Sequence, residues 1–359
     1  KEENIMFLLI DGSSLLTTNF MGNLPPEIKF CKDDDKYDRY ADKILHTSNG
    51  IYTNGVYSTL MDIMNIIRIH RPEYMAVAFD KTRDTFRRKL YPEYKAQRKP
   101  KPECLQQQFT TLKAILNELG IMVLESGDYE ADDLIGSVAS HFENPFMKIK
   151  ILTKDHDYLQ LKTNNIDVWI MQTSADTAER MRIKYDIRKV EEWQYVAARK
   201  SYSEDDCLPC KAINFTDDII KGEHGVDSML IADLKGLMGD SSDNIPGVRG
   251  LGPKAAVPLL GFYGSIENIY AAIDACENDV AKEKTLAKKW KDELGISRPP
   301  MKVLKDNRQM AFVSRYLATI QTDLMIPADL NAYAYSIDSN TYENICRRYE
   351  FVSLIETPA

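Results

Sequence analysis

Nine acidic residues recur along the chain in short clusters: Asp11, Asp80, Glu130, Asp132, Asp133, Asp155, Asp157, Asp240 and Asp243. Carboxylates gathered in one small volume cannot all stay ionised without counter-cations. The set offers hard oxygen donors and no convergent His or Cys, so two Mg²⁺ or Mn²⁺ ions are its natural partners. Two such ions about 4 Å apart clamp the attacking and leaving oxygens of an in-line displacement and lower the pKa of a bound water. Phosphodiester hydrolysis follows as the reaction class. Any one of these acids, taken singly, is more often a cap or a solvated surface group, and only their convergence carries the signal.

A second group of residues addresses the substrate. From Arg83 to Lys101 the chain carries eight bases against two acids, a local balance of +6 in a chain of net charge −8. Arg87, Lys95 and Arg98 are among these bases, and Phe86, Tyr91 and Tyr94 interleave with them. That mixture suits a strand whose phosphates are neutralised while an unpaired base stacks on a ring. A helix with a solvated basic face is the plainer alternative. A third element runs from Gly239 to Lys254, where Asp240 and Asp243 are followed by Gly247, Gly250 and Gly252. Glycines let a backbone approach a phosphate closely, the next helix start supplies N–H donors, and Arg249 and Lys254 add charge.

These groups need a scaffold that brings them together. Apolar, β-rich segments run into acids at Asp11, Asp80 and Asp155, and helix-patterned segments lie between them, Tyr57 to Ile69 and Leu105 to Leu119. Strand, helix, strand alternation predicts a parallel α/β sheet whose functional crevice lies outside the carboxyl ends of the strands. Ile121 to Leu124 reads as a further strand, and Tyr129 to Phe142 as a helix opening on Glu130, Asp132 and Asp133. Polar stretches at about 23–49 and 188–223 read as surface insertions. The expected division is a core over 1–232 and a second unit over 233–359.

Composition sets the outer limits. In 359 residues, 44% hydrophobic and 28% charged, there is room for a sizeable core and no case for wholesale disorder. The apolar runs Ile5 to Ile10 and Tyr74 to Phe79 are far shorter than the roughly 20 residues a membrane helix needs. No secretory signal pattern opens the chain, so a cytoplasmic, nucleoid-associated location is the expectation. Six cysteines are too sparse for a disulfide framework; Cys207 and Cys210, with His224, make only a minor zinc possibility.

In order and combination, Ile10-Asp11-Gly12, Ala78-Phe79-Asp80, Tyr94-Lys95-Ala96-Gln97-Arg98, Tyr129-Glu130-Ala131-Asp132-Asp133, Leu152-Thr153-Lys154-Asp155-His156-Asp157 and Gly239 to Lys254 resemble the motifs of the 5′ nuclease family. That family comprises flap endonucleases, bacteriophage 5′-3′ exonucleases and the amino-terminal nuclease domain of bacterial DNA polymerase I. The resemblance runs from about Ile5 to Leu330. It implies a PIN-like core, a helical arch over about 81–105 and a helix-hairpin-helix module that grips duplex DNA. It implies further that Lys95 and Arg98 contact the scissile phosphate and that Tyr94 stacks on the adjacent base. Asp11, Asp80, Glu130, Asp132 and Asp133 would hold one metal side, and Asp155, Asp157, Asp240 and Asp243 the other. Carbonyls near Val248 and Leu251 would hold a potassium ion. The implied activity is Mg²⁺-dependent cleavage of 5′ flaps and 5′ ends in replication and repair, by a free-standing, monomeric bacterial nuclease.

The chain departs from the family pattern in three places. Thr18 stands where the family has Arg, Lys154 and His156 flank Asp155, and Pro258 falls inside the helix after the hairpin, where it is expected to kink or shorten that helix. Two other readings remain open on the sequence: a PIN-type ribonuclease, and a DNA-junction binding protein with impaired catalysis.

Overall fold

The computed structural model describes residues 5–198 and 201–355; residues 199–200, within the second expected insertion, lie outside it, as do both chain ends. Six strands form one sheet in the order β3-β2-β1-β4-β5-β6. They are β1 (Ile5–Asp11), β2 (Tyr74–Asp80), β3 (Met122–Ser126), β4 (Met147–Thr153), β5 (Ile166–Met171) and β6 (Ala212–Asn214). The first five pair in parallel and β6 pairs antiparallel with β5. Both faces are covered, which is why these strands read as continuous apolar runs. Along β1, Phe7 and Leu9 enter one core, while Met6, Leu8 and Ile10 enter the other.

The principal helices, numbered among themselves, are α1 (Gly12–Gly22), α2 (Asn54–His70), α3 (Phe86–Leu90), α4 (Glu103–Glu118), α5 (Ala131–Phe142), α6 (Ala175–Tyr185) and α7 (Asp217–His224). The carboxyl half adds α8 (Ile231–Met238), α9 (Pro253–Tyr263), α10 (Ile266–Asp274), α11 (Val280–Leu294), α12 (Arg308–Ala318) and α13 (Ser339–Arg348). Helix α2 is capped by Arg71 in the left-handed region, just before Pro72, and α4 ends at Glu118, two residues before Gly120, so both predicted stops act within a residue or two of their signals.

Three expectations need correction. The 188–223 stretch is more than a surface excursion: it supplies β6, whose three residues are all buried at the sheet edge. The carboxyl-terminal part of 233–359 returns to the first half. Tyr333 packs on Phe7 at 5.1 Å between ring centroids, the Tyr335 hydroxyl donates to the Pro72 carbonyl at 2.7 Å, and Ile345 and Cys346 of α13 enter a sheet-face core. Pro258 does not shorten its helix, since α9 runs from Pro253 through to Tyr263. Its missing N–H forfeits one bond, which burial of Ala256, Leu259 and Leu260 outweighs. No described helix is long and apolar enough to cross a membrane.

Candidate active site

The sheet reverses its winding at β1, which is flanked by β2 and β4, and the carboxyl ends of these three strands open onto one cavity of about 810 Å³. Asp11 closes β1 and caps α1, accepting the Ser14 N–H at 2.9 Å and the Thr153 hydroxyl at 2.9 Å. Asp80 closes β2 and accepts the Ala131 N–H at 3.0 Å, which ties the strand end to the start of α5. Asp155 follows β4 and accepts the Asp157 N–H at 2.9 Å. Glu130 is the N-cap of α5 and shares a reciprocal capping box with Asp133, so two of this acidic cluster do serve as caps. Asp11, Asp80, Glu130, Asp132 and Asp155 line the cavity.

The other four predicted acids are held by the protein's own cations. Arg87 grips Asp133 through both guanidinium nitrogens. Lys235 of α8 bridges Asp157 and Asp240, the latter at 2.5 Å. Lys95 lies 3.4 Å from Asp243, and Arg98 pairs with the same carboxylate. Against the cost of burial, Lys235 and Ser242 hold the Asp240 carboxyl down at about 2. Lys95 and Arg98 likewise outweigh burial to keep Asp243 low.

Four of the five cavity acids are in the opposite condition; the fifth, Glu130, pairs with Arg87 and Lys95. Among the described residues no ion pair reaches Asp11, Asp80 or Asp155, and Asp132 has only Arg87 at 3.9 Å. Burial, and next the charge of Asp80, push Asp11 up to about 7. Burial raises Asp132 and Asp155 as well. Carboxylates crowded together and short of positive charge are the chemistry a hard dication satisfies. Among the described residues no group of three or more His, Cys, Asp or Glu side chains is placed to hold a metal ion as it stands. Mg²⁺ keeps several of its waters and needs only one or two carboxylates, so it does not require three donors already in place.

Over the cavity, residues 81–105 form a short helix, α3, and a run of turns docked onto the carboxyl half. The Lys95 N–H donates to the Asp243 carbonyl at 2.9 Å, the Asn244 amide to the Glu93 carbonyl at 2.7 Å, and the Gln97 amide to the Ser241 carbonyl at 3.1 Å. Lys95 also reaches Glu130 at 2.8 Å. Below it, Asp240 and Ile245 exchange both backbone hydrogen bonds to form a hairpin. Gly239 and Gly247 are required there: a Cβ on Gly247 would lie 2.2 Å from the Gly239 nitrogen. Gly250 and Gly252, in contrast, face open space ahead of Pro253 at the start of α9.

Residues 6–193 match the 5′-3′ exonuclease N-terminal resolvase-like domain, and residues 226–340 match the 5′-3′ exonuclease C-terminal SAM fold. The chain belongs to the 5′-3′ exonuclease family. A 5′-3′ exonuclease of Aquifex aeolicus is 30% identical over 84% of this chain and 90% of its own length. DNA polymerase I of Bacillus caldotenax is 32% identical over 91% of this chain, which spans only 29% of that protein. The bacteriophage T5 5′-exonuclease with bound zinc superposes with a TM-score of 0.52 at 18% identity, covering 88% of this chain and 90% of that one. The catalytic core of Rad2 in complex with a DNA substrate superposes at 0.52 and 14% identity, covering 97% and 88%. At these identities the superpositions speak for the fold.

Within this 5′-3′ exonuclease fold, two predicted contacts with substrate are corrected. Arg87 is only 1% exposed, and besides Asp133 it donates to Glu130 at 3.1 Å and to the Leu317 and Thr319 carbonyls at 2.8 and 2.9 Å. It is a clamp inside the protein and has no donor left for a phosphate. The Tyr94 ring is 4% exposed, packed with Ile245, Leu317 and Ala318, and its hydroxyl donates to Glu130 at 2.9 Å and Asp243 at 3.1 Å. No face of that ring is open to a base. Asp133 stands outside the cavity lining, as do Asp157, Asp240 and Asp243. The zinc possibility also falls, because among the described residues no three His, Cys, Asp or Glu side chains, Cys207, Cys210 and His224 included, are placed to hold a metal as they stand.

Lys101 was legible only as one base of the charged segment, and Lys235 carried no signal at all. Lys101 lines the cavity with its ammonium over the Phe109 ring at 3.8 Å. Lys235 sits in an ordinary helical position, and only the fold brings it to Asp157. Thr18 and Lys154 both line the cavity, so these two departures from the family pattern lie at the site itself, whereas His156 and Pro258 do not.

Proposed function

We propose that this chain is a metal-dependent 5′ nuclease that hydrolyses DNA phosphodiesters at 5′ ends and 5′ flaps. What carries the proposal is the set of cation-poor carboxylates, buried Asp11 with Asp80, Asp132 and Asp155, gathered in one cavity beneath a basic arch. Those four with Glu130 would hold Mg²⁺ or Mn²⁺, which when bound supplies a Lewis acid and an activated water.

The chain's own residues do the remainder. Lys95 and Arg98 face the cavity from the arch, bonded to Glu130 and Asp243. A scissile phosphate arriving there exchanges those carboxylates for its own oxygens, so both cations move onto developing negative charge. Arg87 holds α5 and the arch in register. Open backbone at Gly250 and Gly252, with the α9 N-terminus behind it, receives duplex phosphates with help from Arg249 and Lys254. The Val248 and Leu251 carbonyls are the candidate potassium ligands; the Val248 oxygen accepts the Leu251 N–H at 2.9 Å and keeps a second lone pair. These devices address phosphates and ends and do not read base sequence.

The test is cleavage of an end-labelled 5′-flap duplex in Mg²⁺ and in EDTA. Cutting that needs the metal and disappears in Asp132→Ala supports the proposal. Equal cutting by the variant, or RNA cut in preference to the flap, overturns it.

A further inference from the structure

Away from the cavity, α11 has an unusual division of charge. It carries five lysines, Lys282, Lys284, Lys288, Lys289 and Lys291, against Glu283, Asp292 and Glu293. At about 100° per residue, Glu283, Leu286, Ala287, Trp290 and Leu294 share the inward face. Trp290 is fully buried there and donates from its ring nitrogen to the Tyr263 hydroxyl at 2.9 Å, fixing α11 against the end of α9.

The two flanks beside that face differ. On one, Lys282 pairs with Glu277, and Lys289 pairs with Glu293 and lies 4.9 Å from the Phe262 ring centroid. On the other, Lys284, Lys288 and Lys291 fall within roughly 60° of arc. All three are exposed, and among the described residues none is ion-paired. Asp292, at the outer edge of this flank, forms no ion pair with Lys288 one turn before it. Lysines at i, i+4 and i+7 repel one another, so a helix gains nothing in stability from this spacing.

We infer that Lys284, Lys288 and Lys291 form a second backbone-binding track, which lengthens the duplex footprint beyond the hairpin. The inference rests on the nuclease reading of the hairpin. The charge complements a polyanion, in a protein whose net charge of −8 otherwise repels one. Placement agrees, since α11 is anchored to the same helix, α9, that the open hairpin glycines introduce. Dimensions agree as well: seven residues of helix span about 10 Å, the length of roughly three base pairs.

The experiment measures equilibrium binding of 5′-flap DNA to the full chain at several salt concentrations. Duplex arms of about 6 and about 18 base pairs bracket the reach of one hairpin and of hairpin plus track. Each phosphate contact adds about 0.9 to the slope of log K against log salt. Substituting Lys284→Gln, Lys288→Gln and Lys291→Gln together should therefore cut the long-arm slope by about 2 to 3 and leave the short-arm slopes of the two proteins equal. An undiminished long-arm slope in the triple variant overturns the track, and is also what a site for an acidic protein surface would give. A slope lost equally on both arms overturns it too, because a general charge effect has no length dependence. If the unsubstituted chain neither binds nor cuts the flap, the nuclease reading itself has failed; cutting with an unaltered variant slope removes only the track.

Discussion

Arg87 and Asp133 meet through two parallel hydrogen bonds of 2.6 and 2.7 Å, guanidinium to carboxylate, with the arginine 1% exposed and the aspartate fully buried. The pair joins residue 87 of the arch to the first turn of α5, and the same guanidinium holds two carbonyls at the end of α12. Three segments of the site therefore depend on one side chain.

Arg87→Ala leaves Asp133 charged and unpaired in the interior, and breaking one partner of a buried pair costs about 3–5 kcal/mol. Urea denaturation should show the unfolding free energy falling by that amount, through a lower midpoint with the slope unchanged. Arg87→Lys keeps a charge but loses the fork, and should fall between the two. A loss under about 1 kcal/mol, the scale of an exposed pair, would refute the clamp.

Asp11 illustrates a stability cost retained for function. Its folded carboxyl titrates near 7, against an ordinary 3.8, because of burial and then Asp80. A folded pKa raised above the unfolded one means that the metal-free fold loses stability as pH climbs from about 4 to about 7, by up to about 4 kcal/mol. Asp11→Asn should raise the melting temperature in EDTA at pH 8 and have little effect at pH 4. It should also abolish cleavage and reduce the stabilisation by Mg²⁺. A variant that melts lower than the parent in EDTA at pH 8 would contradict this.

The three strand-end acids were legible in the sequence because each follows an unbroken apolar run, and a parallel sheet has one place for such ends to meet. The hairpin was legible from Gly239 to Pro253 for a similarly local reason. Arg87 was not: its neighbour Arg88 has the same composition around it, and its partners lie from 43 to 232 residues away. Lys235 was hidden in the same manner, since helical periodicity cannot say which acid a half-exposed lysine will find. Strand β6 escaped because three residues between polar stretches are too few for any period to register. Counting nine acids as one metal site overlooked that the fold could neutralise some of them with its own cations.

His156 and His224 give an effect of opposite sign in the same pH range. Burial, and next the neighbouring imidazole, pull His156 down to about 4 from 6.5, and burial lowers His224 also. The unfolded chain therefore takes up protons first, and stability falls as pH drops from about 6.5 to about 4. His156→Gln should flatten this part of the stability profile relative to the parent. Chemical denaturation at pH 7 and 5 measures the difference, and an unchanged slope between them would show that the pair is not buried neutral.

Lys95 is expected to act on the chemical step more than on binding. It is 22% exposed, faces the cavity and is already paired with Glu130, so it can exchange a carboxylate for a phosphate without leaving its place. Lys95→Ala should lower the single-turnover rate by about 10² to 10³, the usual cost of removing one preorganised donor. Flap affinity should change by less than about tenfold. An intact rate with weakened affinity would make Lys95 a binding residue only.

Gly252 offers a way to separate fold from grip. Its φ of −111° suits any residue, and a Cβ there meets nothing within 4 Å, so Gly252→Ala introduces neither strain nor collision. The fold should lose only about 0.5–1 kcal/mol, the order of a poorer N-cap. A phosphate that approaches this backbone would meet the new methyl group directly, and duplex affinity should fall by about tenfold or more, worth 1.4 kcal/mol. Gly247→Ala makes the contrast: its Cβ would lie 2.2 Å from the Gly239 nitrogen, so the hairpin itself must give way and stability must fall with affinity. If Gly252→Ala binds duplex as tightly as the parent, the open glycines serve the turn alone, and the basis for placing DNA against this hairpin is lost.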